Sequence, residues 1–372
     1  MQQATVTFLR FGRMLWKTAT VNVCRSWKVS SSARVSLIFE FVRTFLLFEA
    51  CLYPCGTKGQ QMASAFPKTL DDFGYKFNEG GKLRKIDPDT GKTTEQGFNF
   101  SVSSNANKNQ KRYEALGEII TERVYEILEE NGMHKVYVPE NVPKTDATFI
   151  FLSKPKLENP KKLLILIHGS GVVRAGQWSR SLIINHSLDH GTQLPYIRKG
   201  RELGYEILIM NTNDNHRMKF GLTHTIPGHS SPKAHAFNVW ERYVMGSNPE
   251  AVAVVAHSYG GVVTVELAKK YTNFFKEKVF AVGLTDSVHS TFGCTNEVQT
   301  FLSSIGRNWV TSTKPLNERI SSSNSDISRY SAGDTKHEWT SYSCMSALFD
   351  FFELRYEVFA QRKQSKKPKL EL

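Results

Sequence analysis

Cysteine is scarce in this sequence, and its spacing excludes two classes of protein. The 372 residues include five cysteines, an odd number at irregular intervals. Cys51 and Cys55 have neither a second cysteine pair nor a nearby histidine pair, so the spacing typical of a zinc finger is missing. An irregular set of this kind is also unlike the framework of a disulfide-rich secreted domain. We therefore expect a reducing compartment, no metal ion and no other cofactor.

A long uncharged apolar run is also missing. Residues 35–53 are apolar, but Glu40, Arg43 and Glu49 interrupt them. A membrane-spanning helix needs about 20 apolar residues with few charges, so we expect no stable transmembrane span. Residues 1–39 contain no acidic residue, a bias shared with transit peptides. We interpret residues 1–62 as a basic leader that is disordered or serves targeting.

The net charge of +13 is concentrated at the two ends of the chain. Residues 1–62 carry eight Lys and Arg against two Glu, and residues 361–372 carry five against one. The body between them is nearly neutral and has no basic stripe, so any association of the body with RNA is expected to be indirect. We expect one domain over residues 63–360, followed by a basic tail at 361–372.

The tail carries two weak address signals. Its last four residues, KLEL, loosely resemble the K-D-E-L retrieval signal of the endoplasmic reticulum. The basic run at 366–369 fits nuclear import equally well. Both locations stay open at this point.

Short apolar runs alternate with helical patterns through the body. Four runs are almost continuously apolar, as in parallel strands covered on both faces: 163–167, 205–210, 252–256 and 279–284. The alternation predicts an α/β fold that is α/β-hydrolase-like, with a mostly parallel, doubly wound sheet and helices on both faces. Residues 211–233 are rich in Asn, Asp, His and Gly, and we interpret them as a lid or a partner-binding loop. Further helices are expected at 108–131, 194–203, 234–244, 262–271, 297–305 and 345–358, and further strands at 135–139, 147–152 and 309–311.

Ser258 lies between an apolar strand and a helical pattern, in the stretch AVVAHSYGGVV. This strand–turn–helix context is that of the G-x-S-x-G nucleophile elbow, with Ala256 in place of the first glycine. The elbow needs small flanking residues because the strand and helix backbones pass close together there. We predict Ser258 as a strained, exposed nucleophile; the alternative is a serine that merely occupies a tight turn.

A second motif precedes the serine. The strand at 163–167 leads into His168-Gly169-Ser170-Gly171, as in esterases whose HG-type loop helps to bind an oxyanion. We predict that this loop (Gly169, Ser170 and Gly171) and the N–H of Tyr259 form an oxyanion hole. Such donors stabilise the charge that develops on the substrate oxygen during attack.

The histidine and the acid of a triad are expected after the serine. His337 lies in a polar loop before the last helix, where a hydrolase histidine is expected, whereas His289 follows a strand too closely. Asp286, at the end of the strand at 279–284, is the favoured acid. Glu318 is the alternative, because the acid more often follows the next strand; the neighbouring Asn317 has no charge to offer an imidazolium.

Several segments together resemble the Argonaute-binding domain family of cotranscriptional regulators over about residues 66–356. They are HGSGVVRAGQW (168–178), VVAHSYGG (254–261), LTDSVH (284–289) and SAGDTKHEWTS (331–341), with FPKTLDDFGYKFNEGGKLR (66–84) and NQKRYEALGEII (109–120) in the amino-terminal part. The resemblance implies a hydrolase-like fold whose candidate nucleophile is Ser258. It also implies nuclear roles in RNA-linked silencing and alternative splicing through Argonaute and chromatin-associated proteins; the cytoplasm stays open as a second location.

The chain departs from that family in two places. Asn317 stands where related chains have Asp, which puts the third triad member in doubt. Residues 211–237 are shorter than the charged insertion of related chains, so some partner contacts are expected to be missing. Three functions therefore remain: a hydrolase-like scaffold that binds partners, an active serine hydrolase (esterase, thioesterase or deacylase), and direct RNA binding by the basic tails.

Overall fold

A nine-stranded sheet organises the chain in the computed structural model, which describes residues 66–321 and 326–365. The chain divides into two units, Met1–Lys58 and Gly59–Leu372, and every described residue belongs to the second. The predictions for the leader at 1–62 and for the KLEL terminus lie outside the described residues. No helix within them is long and apolar enough to cross a membrane.

The strands of this sheet are β3 (His134–Val138), β4 (Thr148–Leu152), β5 (Leu163–Ile167), β6 (Glu206–Ile209), β9 (Val252–His257), β10 (Val279–Thr285), β11 (Gly306–Val310), β12 (Arg319–Ile320) and β13 (Ser328–Ser331). Their order across the sheet is β12-β13-β11-β10-β9-β5-β6-β4-β3. The six strands from β13 to β6 are parallel to one another. At the edges, β12 is antiparallel to β13, β4 is antiparallel to β6, and β3 is antiparallel to β4.

Two hairpins lie outside this sheet. One pairs β1 (Tyr75–Phe77) with β2 (Leu83–Lys85), and the other pairs β7 (His216–Lys219) with β8 (Leu222–Thr225). The second hairpin falls within residues 211–233. The sequence did not reveal its strands because every residue of β8 is exposed, which leaves no apolar alternation to detect.

Helices cover both faces of the sheet, which confirms the predicted fold class. They are α1 (Ala106–Glu130), α2 (Arg180–Asn185), α3 (Leu188–Gly191), α4 (Leu194–Glu202), α5 (Pro232–Val239), α6 (Tyr259–Lys270), α7 (Thr272–Lys278), α8 (Asn296–Ile305), α9 (Thr340–Ser343) and α10 (Met345–Ser365). A π-helical turn, Trp240–Met245, extends α5, and α10 runs seven residues beyond its expected end.

The central strands show why the apolar runs are continuous. All five residues of β5 are buried, and they alternate between two hydrophobic cores. Leu164 and Leu166 pack with α1, α4 and α10 on one face, whereas Leu163, Ile165 and Ile167 pack with α5, α6 and α8 on the other. A strand covered on both faces needs apolar side chains at every position. The carboxyl ends of these parallel strands lie along one edge of the sheet, where the predicted site residues follow them.

Candidate functional site

Ser258 occupies a sharp turn between β9 and α6, with φ 52° and ψ −119°. This positive φ is uncommon for a residue other than glycine and persists only where the surroundings fix it. The glycines that follow are required by close packing. A Cβ on Gly260 would lie 2.6 Å from the Ile167 carbonyl oxygen, and one on Gly261 would lie 1.9 Å from Ser287 Oγ. The turn therefore has the backbone of a nucleophile elbow, although Ser258 is half-buried rather than exposed.

Asp286 and His337 are in direct contact at the same edge of the sheet. The His337 Nδ1–H donates to Asp286 Oδ2 at 2.7 Å. The other carboxylate oxygen, Oδ1, accepts from the backbone N–H of Thr311 at 3.1 Å, and Asp286 itself is buried. Because the carboxylate holds the proton on Nδ1, Nε2 of a neutral His337 is left as the basic nitrogen.

The histidine lies beside the serine turn without bonding to it. The rings of His337 and His257, the residue just before Ser258, have centroids 4.6 Å apart. Among the hydrogen bonds of the described residues, none joins the Ser258 hydroxyl to His337. Catalytic hydrogen bonds are often long in free enzymes and shorten only when substrate binds, so this geometry is compatible with general-base catalysis.

The alternative acid is engaged elsewhere. The carboxylate of Glu318 accepts from Lys314 Nζ at 2.6 Å on the surface. Asn317, beside it, accepts from the indole N–H of the buried Trp309 at 3.2 Å. The structure therefore brings Asp286 to His337, and Asn317 has a local role in satisfying a buried donor.

The loop after β5 lies against the serine. A Cβ on Gly169 would come within 3.1 Å of Ser258 Cβ. Within residues 66–321 and 326–365, the backbone N–H groups of Ser170, Gly171 and Tyr259 have no hydrogen-bond acceptor. Unpaired donors beside a serine are what an oxyanion hole requires, and the N–H of Tyr259 lies at the start of α6, where the helix dipole favours negative charge.

Two buried histidines lie in the motifs that form the site. The His168 Nδ1–H donates to the Gly169 carbonyl at 2.8 Å, and the His257 Nδ1–H donates to the Thr285 carbonyl at 2.9 Å. Burial lowers the pKa of His168 to about 4 and that of His257 to about 3. Both rings are therefore neutral near pH 7, and they support the backbone instead of carrying charge.

Asn213, whose side-chain amide contacts the loop after β5, was not among the residues predicted from the sequence. A signal was present: residues 211–215 read Asn-Thr-Asn-Asp-Asn and begin one residue beyond the end of β6, which is the neighbour of β5 in the sheet. Polar residues at the ends of adjacent parallel strands meet at the same edge.

Among the residues that the structure describes, no three His, Cys, Asp or Glu side chains come together in a way that could hold a metal ion.

The sheet and the Ser258 turn define an α/β-hydrolase-like protein. The chain belongs to the Arb2 domain family, whose model matches residues 66–316. It is 39% identical to the cotranscriptional regulator ARB2A homolog of Gallus gallus, over 82% of this chain and 83% of that protein. It is 37% identical to the cotranscriptional regulator ARB2A of Homo sapiens, over 77% of this chain and 80% of the relative.

Solved structures are more distant. A histone deacetylase from Saccharomyces cerevisiae is 12% identical with a TM-score of 0.41, over 64% of this chain and 96% of that one. The carboxylesterase EstE1, from a metagenomic library, is 16% identical with a TM-score of 0.29, over 47% and 55% respectively. Likenesses of this size carry no inference about activity.

Proposed function

We propose that this chain is a cotranscriptional regulator: a hydrolase-like scaffold that binds Argonaute and chromatin-associated proteins in RNA-linked silencing and alternative splicing. The observation that carries the proposal is membership of the Arb2 domain family, with relatives named cotranscriptional regulator that match most of the chain. Association with RNA is then indirect, through the partners. The location proposed is the nucleus, with a cytoplasmic pool; the names of the relatives give no support to the endoplasmic reticulum.

The β7–β8 hairpin is the surface that we propose for partner contact. Its tip is a two-residue turn, Phe220-Gly221, with φ of 52° and 76°, as in a type I′ hairpin. Phe220 is fully exposed, and Met218 and Leu222 are both more than 60% exposed. Three large exposed apolar side chains around one turn are more typical of an interaction site than single exposed apolar residues are.

The first strand of this hairpin is fixed to the body. Arg217 donates to the Ala147 carbonyl at 2.5 Å, and it also pairs with the Asp214 carboxylate just before the strand, at 2.5 and 2.8 Å. Lys219, the residue before the turn, pairs with Asp146 at 2.5 Å. The hairpin is thus held in a defined orientation, so binding a partner costs less conformational entropy than ordering a mobile segment would.

Co-precipitation from nuclear extract tests this function. Wild-type protein is expected to recover Argonaute and chromatin-associated proteins, and the double variant Phe220→Ser, Leu222→Ser is expected to recover less. A matched control, Val358→Ser, removes an exposed apolar side chain from α10 and leaves the hairpin intact. No recovery by wild type while a known Argonaute binder succeeds would reject the function. Recovery by the hairpin variant equal to that by wild type would reject only the β7–β8 hairpin as the contact surface.

A second function, a serine hydrolase that acts on an ester, a thioester or an acyl-amide, is favoured by one specific observation. The 2.7 Å contact between Asp286 and His337 lies beside a serine in elbow conformation. In this proposal Ser258 is the nucleophile, His337 the general base and Asp286 the residue that orients it. The N–H groups of the 169–171 loop and of Tyr259 bind the oxyanion.

A fluorophosphonate probe tests the second function directly. Wild-type protein is expected to be labelled and Ser258→Ala is not. Ser287→Ala serves as the control, because it removes a neighbouring hydroxyl and keeps the elbow serine. A well-folded wild type that stays unlabelled would exclude an activated serine.

A further inference from the structure

The side chain of Asn213 is positioned to control the loop after β5. Its Nδ2 group donates to three carbonyl oxygens of that loop: Gly169 at 2.9 Å, Gly171 at 3.2 Å and Val173 at 3.0 Å. One side-chain amide has only two protons, so all of its donor capacity is directed at this loop. The loop residues are 40 to 44 positions earlier in the chain, and the contact is therefore a tertiary one.

Anchored carbonyls determine where the neighbouring N–H groups point. A trans peptide is planar, and its C=O and N–H point in opposite directions. When the carbonyls of Gly169 and Gly171 turn toward Asn213, the N–H groups of Ser170 and Val172 turn away from it. Gly169 packs against Ser258, and the N–H of Ser170 has no acceptor among the residues that the structure describes.

We infer that Asn213 is a positioning residue for the oxyanion hole: it holds the 169–173 loop with its N–H groups available to a substrate oxygen at Ser258. The inference rests on the proposed hydrolase function, and it assigns Asn213 no contact with substrate. A flexible loop would have to be ordered during the reaction, whereas an anchored one meets the developing charge already oriented.

The test uses the full chain and measures the inactivation rate constant and the affinity of a fluorophosphonate probe separately. Asn213→Ala is expected to lower the rate constant by about tenfold or more and to leave probe affinity nearly unchanged, since one oxyanion donor is worth about 10²- to 10³-fold in rate. Asn213→Asp, an isostere without amide protons, is expected to be at least as slow. It also serves if the alanine variant fails to fold.

Asn215→Ala is the matched control. Asn215 lies two positions further on, and its amide donates to the His229 carbonyl at 2.7 Å, so it supports the same segment without touching the 169–173 loop. Hydrogen exchange is expected to rise over residues 168–174 in Asn213→Ala and to stay at the wild-type level there in Asn215→Ala.

The outcomes separate the two claims. A labelled wild type with equal rate constants for Asn213→Ala and Asn215→Ala would overturn the role of Asn213 alone. A folded wild type that is not labelled would overturn the hydrolase function and the oxyanion role together.

Discussion

The sheet edge that carries Ser258, Asp286 and His337, here called the Ser258 edge, shares one backbone feature with the β7–β8 hairpin. Both contain residues other than glycine with positive φ, in opposite surroundings. Ser258, Asp286 and Phe220 all have positive φ, at 52°, 44° and 52°. The first two are held by the sheet: the Ser258 N–H donates to the Thr285 carbonyl at 3.0 Å, and the Asp286 N–H donates to the Trp309 carbonyl at 2.7 Å. Phe220 is exposed in a two-residue turn whose geometry favours positive φ.

Positive φ alone therefore does not mark a reactive residue. At the sheet edge, neighbouring strands impose the conformation and place side chains against one another. In the hairpin, local turn geometry imposes it and places a side chain in solvent. We therefore expect changes at the edge to alter chemistry and folding, and changes at the hairpin tip to alter partner contact alone.

The largest effect is expected at Asp286. Asp286→Asn removes the charge that faces His337 and disturbs the proton arrangement on the imidazole, so the rate of fluorophosphonate labelling should fall by about 10³- to 10⁴-fold. Glu318→Gln is the matched control, because Glu318 pairs with Lys314 at the surface. A large loss of labelling rate in Glu318→Gln with little change in Asp286→Asn would mean that Glu318, in the loop after β11, is the acid.

Acid should destabilise the edge through its buried histidines. The pKa of His168 is lowered to about 4 and that of His257 to about 3 by burial, against 6.5 in the unfolded chain. Below pH 6.5 the unfolded state therefore binds more protons than the folded state does. The contribution of these rings to the free energy of unfolding is complete above that pH and is lost as the pH falls toward 4.

Together these two rings are expected to lower the free energy of unfolding by about 2 kcal/mol between pH 6.5 and 5.5. Urea denaturation at several pH values measures the slope. His257→Gln should reduce it, and His224→Gln, on the exposed strand β8, is the control. If the free energy of unfolding changed with pH equally in wild type and His257→Gln, the pH dependence could not be assigned to His257.

A smaller effect is expected at Asn317. Asn317→Ala leaves the indole N–H of buried Trp309 without its acceptor and places alanine at φ 65°. An unsatisfied buried donor costs about 1–3 kcal/mol, so urea denaturation should show a loss of about 2 kcal/mol. Asn317→Asp, which keeps an acceptor, should lose less. A loss below about 0.5 kcal/mol in Asn317→Ala would show that the bond to Trp309 is unimportant.

The smallest effect on stability is expected at the hairpin tip. Phe220→Ser and Leu222→Ser change exposed side chains, so each should alter the free energy of unfolding by no more than about 0.5 kcal/mol. Thermal or urea denaturation checks this. A loss of 2 kcal/mol or more would mean that the tip packs against the body, and the contrast with the Ser258 edge would no longer hold.

The sequence predicted the parts of the fold that are set by local pattern. The buried strands β5, β6, β9 and β10 followed from continuous apolar runs, and the turn at Ser258 followed from small residues between a strand and a helix. Strands β12 and β13 were missed because they are only two and four residues long, consist mostly of polar residues and bury only Ser331 fully. The hairpin was missed because a Phe-Gly turn is a weak signal beside Asn-Gly.

The acid and the loop anchor depended on tertiary geometry. Asp286 and Glu318 both follow strands of the parallel sheet, and only the position of the loop that carries His337 distinguishes them. The three carbonyls at Asn213 belong to a loop whose path no periodicity encodes. Such contacts are decided by how loops return across a sheet edge, which spacing along the chain does not reveal.

Parallel co-precipitation of wild type and Ser258→Ala from nuclear extract is the sharpest test that this chain regulates by binding. Both proteins are expected to recover Argonaute and chromatin-associated proteins to the same extent, because binding belongs to the scaffold and not to the serine. Recovery by neither, while a known Argonaute binder succeeds, would contradict the claim, and recovery lost only in Ser258→Ala would place the serine within the binding function.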